Sequence, residues 1–173
     1  MNKKSGFTLA EVLVTLMIIG VIAAMTIPSL MQSTAQQEYK AAFKKAVSML
    51  NQAVTLNYAL DGLDGTDYTG TSFYNLMTQR LNVMSSTAAN AELYTADGMY
   101  FKALADDASA CAVEAAMDES NICSVVQVDV NGMKGPNKAS EATNKVYDIF
   151  TVAIYPQKAL PRTTTQSQIL YRK

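Results

Sequence analysis

No residue between Val12 and Gln37 carries a charge. Val12 to Met31 alone supplies about 20 residues, which at a rise of about 1.5 Å each covers the roughly 30 Å of a bilayer's hydrocarbon core. A helix that is apolar on every side has no face to present to water, so it must lie in lipid or be enclosed by other helices. Immediately before it stands one carboxylate, Glu11, and before that a basic stub with Lys3 and Lys4. A carboxylate at a bilayer centre costs roughly 2.5 to 3.5 kcal/mol, and less near an interface. A chain that places one at the edge of such a segment calls for a partner for it.

The flanks give a direction. Lys3 and Lys4 precede the apolar run, Gln32 to Gln37 carries no cation, and the next ones are Lys40, Lys44 and Lys45. The positive-inside rule then puts the N-terminus in the cytoplasm and the remainder outside. A cleaved secretory signal is the competing reading, but its apolar region is typically about 7 to 15 residues long and ends at a small-residue site. Here the run is longer and holds a carboxylate near its start, and Ala23-Ala24-Met25 only loosely imitates a cleavage site.

The order Lys3-Lys4-Ser5-Gly6-Phe7-Thr8-Leu9-Ala10-Glu11-Val12-Leu13-Val14-Thr15-Leu16 resembles the prepilin signal of type IV pilins and type II secretion pseudopilins, from Lys3 to about Leu30. The resemblance implies cleavage between Gly6 and Phe7 by a membrane prepilin peptidase that requires Gly6, and N-methylation of the new Phe7 amine. It implies that Glu11 pairs with the Phe7 amine of a neighbouring subunit. The implied partners are that peptidase, like pilin subunits in a helical fibre, inner-membrane assembly machinery, and membrane lipid before assembly. The implied location is the bacterial cytoplasmic membrane, single-pass with the C-terminal domain outside, then a pilus or pseudopilus. The charges themselves fit this scheme. A cation and a carboxylate attract strongly at low dielectric while each resists desolvation, so the pair acts best as a register device. Pro28 removes a backbone donor and crowds the preceding turn, which predicts a kink; in the family, a proline here accompanies bending and local melting.

Composition narrows the function further. The chain has 173 residues, is 49% hydrophobic and carries a formal charge of -1. Loss of Lys3 and Lys4 with residues 1–6 takes that to -3 (-1 minus 2). This suits a weakly acidic external protein and disfavours general nucleic-acid binding, which needs a concentrated basic surface. Cys111 and Cys123 are the only cysteines. In an oxidising compartment a disulfide is the default for so close a pair, with two buried thiols as the alternative. There is no histidine, which removes Ser-His and Cys-His chemistry, and two cysteines do not fill a zinc shell. Asp106-Asp107 and Asp118-Glu119 read as solvated pairs. The chain is therefore not an enzyme but a substrate of one, and no cofactor is expected.

The rest of the chain predicts an α+β fold, with a long N-terminal α-helix packed on a small antiparallel β-sheet, pilin-like. Residues 1–6 form the leader, 7–31 the transmembrane and assembly helix, 32–60 the amphipathic half of the same helix, and 61–173 the globular head. Tyr39, Phe43, Val47, Leu50 and Val54 recur at spacings of three and four, with Ala35, Ala42, Ala46 and Ala53 on the same side and Lys40, Lys44, Lys45, Ser48 and Asn51 mostly opposite. This is the pattern of a helix laid on a core. It should run to about Tyr58 and stop at Asp61-Gly62. Ser72 to Met84 predicts a second helix capped by Ser72, with Phe73, Leu76, Met77, Leu81 and Met84 as its apolar residues. Ser85 to Asn90 reads as loop. Three strands follow, at Met99 to Leu104, Ile122 to Val130 and Tyr147 to Tyr155, with a short helix around Ala110 to Met117 between the first two. The tail after Pro156 reads as irregular, with a short extra strand at Ile169 to Tyr171.

The segment Asp129-Val130-Asn131-Gly132 through Lys134-Gly135-Pro136-Asn137, followed by Asp148-Ile149-Phe150, resembles the C-terminal part of a subgroup of bacterial pilin-like proteins and predicts a turn whose Asn and Asp side chains bond backbone groups. As a calcium loop it fails: Met133, Lys134 and Ser140 stand where an EF-hand needs a ligand, a glycine and a glutamate. Calcium is the competing reading of this segment and ranks below the structural turn. Two other functional readings stand beside the polymerising subunit. One is a minor tip pilin that contacts DNA, a surface or a secreted substrate through Asp106 to Asn121, and the other a membrane-anchored external domain that never polymerises.

Overall fold

The computed structural model describes residues 6–64, 67, 72–87, 91–106, 111–112, 117, 119–141 and 145–171; of these, the side chains of 72, 73, 76, 105 and 106 are not described. The chain divides into two compact units, 1–37 and 38–173. The first consists of the opening part of α1 (Leu9–Asp61), and its side chains from Gly6 to Thr34 are exposed apart from a half-buried Ala23.

In the second unit α1 becomes amphipathic. Phe43, Ala46, Val47, Leu50, Ala53, Val54 and Asn57 are buried, a spacing of three and four that draws one stripe down the helix. The helix ends where turn chemistry predicts, three residues later than its apolar pattern suggests. Gly62 takes a positive φ of 68° and its N–H donates to the Tyr58 carbonyl at 3.1 Å, the left-handed cap that glycine adopts without a Cβ clash.

The stripe lies on a six-stranded antiparallel sheet in the order β1 (Val83–Thr87), β2 (Glu92–Thr95), β3 (Tyr100–Asp106), β4 (Ser124–Asp129), β5 (Ile149–Tyr155) and β6 (Lys158–Pro161). Each strand pairs with the next in the chain, so hairpin connections suffice throughout. The registers Leu93↔Phe101, Phe101↔Val128 and Val128↔Phe150 draw one row of fully buried side chains across four strands. Phe43 of α1 stacks on the end of that row, its ring 4.0 Å from that of Phe150 and inclined by 7°. This contact joins helix to sheet at the centre of the core.

Three of the six strands were expected, and they are β3, β4 and β5. The other three are corrections. Ser85 to Thr87, read as loop, belongs to β1, which starts at Val83 and so ends the second helix early. That helix, α2, spans Ser72–Arg80, and Met84, expected on its apolar side, is exposed on β1. Strand β6 falls in the tail read as irregular. Ile169 to Tyr171 forms no strand but closes α3 (Thr164–Tyr171). There Thr163 Oγ1 accepts from the Gln166 N–H at 3.1 Å, and Ile169 and Leu170 enter the core. An eight-residue helix is marginal by itself; this one is held by the apolar surface it buries. The short helix expected around Ala110 to Met117 and the Asp106-Asp107 and Asp118-Glu119 pairs fall largely outside the described residues, and the proposed Ser72 cap concerns a side chain that is not described.

Asn51 is also corrected. It is not on the free side of α1 but half-buried, with its amide set against β6. Its Nδ2 donates to the Ala159 carbonyl at 2.8 Å, and its Oδ1 accepts from the Ala159 N–H at 2.8 Å. One side chain thus occupies both outward groups of a residue on an edge strand, as a neighbouring strand would.

Candidate functional site

The site begins where α1 begins. Gly6, Phe7 and Thr8 precede the first helical residue, Leu9, in irregular and exposed backbone. A Cβ built on Gly6 would meet nothing within 4 Å, and Gly6 has no left-handed φ. Among the described residues nothing therefore requires a glycine there. Phe7 is 91% exposed.

Glu11 has a partner within the chain, Thr8, beyond the intermolecular one expected for it. The Thr8 N–H and the Thr8 hydroxyl both donate to Glu11 Oε2 at 2.8 Å, and the Glu11 N–H donates to Thr8 Oγ1 at 3.3 Å. This is a capping box, in which the N-cap residue and the third helical residue satisfy each other's free donors. Its signature, Thr8-Leu9-Ala10-Glu11, is present in the sequence. The box holds the carboxylate at the N-terminal end of α1, where free backbone N–H groups and the helix dipole favour an anion. A cationic group delivered to that end would find the carboxylate already aimed at it.

Beyond the box the exposed surface of α1 as far as Met31 is predominantly apolar. Fifteen large hydrophobic residues from Phe7 to Met31 are exposed. At about 1.5 to 3 kcal/mol for full burial of each, they represent tens of kcal/mol against leaving this segment in water. Its polar side chains turn inward on the helix. Thr15 donates to the Val12 carbonyl at 2.9 Å, Thr26 to Ile22 at 3.0 Å, Ser29 to Thr26 at 3.0 Å, and Thr34 to Leu30 at 2.9 Å. Each hydroxyl is satisfied locally, so none needs water. Pro28 lies in the interior of α1, where it leaves the Ala24 carbonyl without its usual helical donor.

The remaining expected residues lie in the second unit. Cys111 and Cys123 are joined in a disulfide. Asn121, buried near it, accepts from the Ala112 N–H at 2.6 Å and donates to the Ala112 carbonyl at 3.0 Å, which fastens the described part of the loop to the 3-10 turn at Glu119–Asn121 that precedes β4. Residues 107–110, 113–116 and 118 of the expected tip loop lie outside the described set. In the turn after β4, Asp129 Oδ1 accepts from the Asn131 N–H at 3.2 Å, and the fully buried Asp148 accepts from the Asn137 and Lys138 N–H groups at 2.8 and 2.9 Å. The carboxylates hold backbone, as the sequence pattern predicts. Burial raises Asp129 to about 6, with the charge of Asp148 adding to the shift and the N–H groups of Asn131 and Gly132 opposing it. Among the described residues no three Asp, Glu or Cys side chains gather as a metal shell.

Residues 1–27 match the family model described as the prokaryotic N-terminal methylation motif. Comparison with curated proteins and with solved structures gives no match.

Proposed function

We propose that this chain, which carries the prepilin-type signal of type IV pilins and pseudopilins, is a structural subunit of a type IV pilus or a type II secretion pseudopilus. It waits in the cytoplasmic membrane, anchored by α1 with its head outside. Prepilin peptidase cuts it after Gly6 and methylates the Phe7 amine. It then leaves lipid for a bundle of like helices. The exposure of Gly6 and Phe7 supports the cut, since the scissile backbone is neither helical nor covered. The open space around Gly6 is consistent with a glycine kept for the peptidase rather than for the fold.

The observation that carries the reading is the junction of this signal with a helix segment that exposes fifteen large apolar side chains. Burial against neighbouring helices supplies the affinity, and charge supplies the register. A subunit at the wrong height leaves Glu11 and a neighbour's Phe7 amine unpaired in low dielectric, which costs several kcal/mol. Thr8 positions Glu11 for that encounter by holding the carboxylate over the first turn.

The test is mass spectrometry of the protein from cells, with Gly6→Leu as the variant. The mature wild-type chain should begin at methylated Phe7, and the variant should keep Met1 and yield no sheared fibre. A wild-type chain that retains residues 1–6, or a variant cut as efficiently as wild type, overturns the proposal.

A further inference from the structure

Residues 130–148 join β4 to β5, and their charges are sorted by depth. Asp148, and Asp129 just before the connection, are buried and accept backbone N–H groups. Lys134, Lys138 and Lys145 are exposed, and none of them joins an ion pair among the described residues. Lys138 and Lys145 each stand 5.7 Å from the Tyr147 ring, which gathers two ammonium groups at one place. The only other carboxylate in the connection is the exposed Glu141. At the tip, Met133 is 74% exposed. A chain of formal net charge -1 thus turns a basic surface outward here. The connection also lies at the start of the second unit, because Val130, Asn131, Lys134 and Gly135 line one cleft with Glu38 and Tyr39 of α1.

We infer that Lys134, Lys138 and Lys145 form a docking surface for anionic lipid headgroups, used while α1 spans the membrane; the inference rests on that reading of α1. The tether selects this occupant. Helix α1 is unbroken from its apolar run through Glu38, and Glu38 follows Met31 by seven residues (38 minus 31), about 10 Å of helix. Each headgroup layer extends about 5 to 8 Å beyond the hydrocarbon. Glu38 and the connection beside it are therefore held within reach of the headgroups, whatever angle the head takes. A lipid phosphate is the anion that this place supplies at high density, and an ammonium group binds phosphate as a point charge. Each lysine brought to an anionic surface strengthens docking about fivefold. Exposed Met133, flexible and apolar, enters the interfacial layer between the charges. Docking restrains the head of the waiting subunit, and the contact ends when α1 leaves lipid.

The test uses the full chain reconstituted into vesicles of phosphatidylcholine alone or of an equal mixture with phosphatidylglycerol, each carrying a headgroup nitroxide lipid as quencher. Met133→Cys takes a polarity-sensitive fluorophore, and the native Cys111–Cys123 disulfide leaves no other free thiol. The probe should be quenched and shifted to the blue in the mixed vesicles, and should report water in the neutral ones. High salt should release it, because added ions screen exposed charges. Lys134→Gln with Lys138→Gln should lower the ratio of docked to free heads about 25-fold, with unchanged far-ultraviolet circular dichroism, and Lys134→Arg with Lys138→Arg should restore it. Leu60→Cys, exposed and 22 residues beyond Glu38 (60 minus 38), lies about 33 Å further along α1 and should report water throughout. A chain that fails to stay with the vesicles overturns the anchoring by α1 and this inference with it. A chain that stays, with the Met133 probe in water, overturns the inference alone. Equal quenching in neutral vesicles, equal quenching at Leu60, or docking that survives both glutamines also overturns it.

Discussion

Asn51→Ala should be the most destabilising single change on the outward half of α1, although the position reads as a solvent-facing asparagine. Ala159 is fully buried, and both of its outward backbone groups end on the Asn51 amide at 2.8 Å. Truncation leaves a buried N–H and a buried carbonyl unpaired, each costing about 1 to 3 kcal/mol. Allowing for water entering at the half-exposed rim, the loss should be about 2 to 4 kcal/mol. For a domain of this size that lowers Tm by about 6 to 12 °C. The assay is thermal and urea unfolding of the full chain in detergent, followed by circular dichroism. Gln52→Ala, one position along and exposed, with only a 3.4 Å bond to Ser48, should cost less than about 0.5 kcal/mol. Asn51→Asp sharpens the test, because it keeps an acceptor for the Ala159 N–H but sets a carboxylate oxygen against the Ala159 carbonyl; it should be no better than alanine. If Asn51→Ala falls within about 0.5 kcal/mol of Gln52→Ala, the edge plug contributes nothing and the reasoning is wrong.

Two further outcomes follow from the core and the turn. Phe43→Ala removes a fully buried ring stacked on Phe150 and should cost about 3 to 5 kcal/mol in the same unfolding assay, whereas Phe43→Leu should recover more than half of that loss. Asp129 has its folded pKa raised to about 6, so its contribution to stability is fully present below the ordinary aspartate range and is lost as pH rises through about 6. The head should therefore gain on the order of 1 kcal/mol from this residue between pH 7 and pH 4. Asp129→Asn should abolish that gain, seen as a flatter plot of Tm against pH. Asp97 does not confuse the window: burial pushes its pKa up, but the Thr95 hydroxyl and the Lys45 ammonium at 2.7 Å outweigh that and hold it below the usual carboxylate value.

The parts of the molecule legible in the sequence are those written in local periodicity. The α1 stripe repeats at three and four residues over several turns, and its buried members are nearly those the spacing selects. Strands β4 and β5 carry dense β-branched and aromatic residues, and β3 opens on Tyr100-Phe101 directly after the Asp97-Gly98 turn. Strands β1 and β2 are shorter and lack such a run. Val83 to Thr87 is one apolar pair followed by hydroxyls, and its strand state comes from the ladder to β2 rather than from its own preference. Helix α3 is led by threonines, which favour extended backbone, and becomes helical because Ile169 and Leu170 find the core. Thr163 followed three places later by Gln166 was a usable cap signal, as was Thr8 followed by Glu11.

By itself the sequence determined that this chain begins with a prepilin-type signal, continues as a long apolar helix and turns amphipathic before an α+β head. These are properties of residue order along a single chain, fixed by hydropathy, charge and helical periodicity. Which asparagine seals an edge, which strands form the two edges of the sheet and how the carboxylates of the turn are occupied were decided only by tertiary structure. Such outcomes depend on which backbone groups lose water when residues 108 positions apart, such as Asn51 and Ala159, are brought together, and no local pattern records that loss.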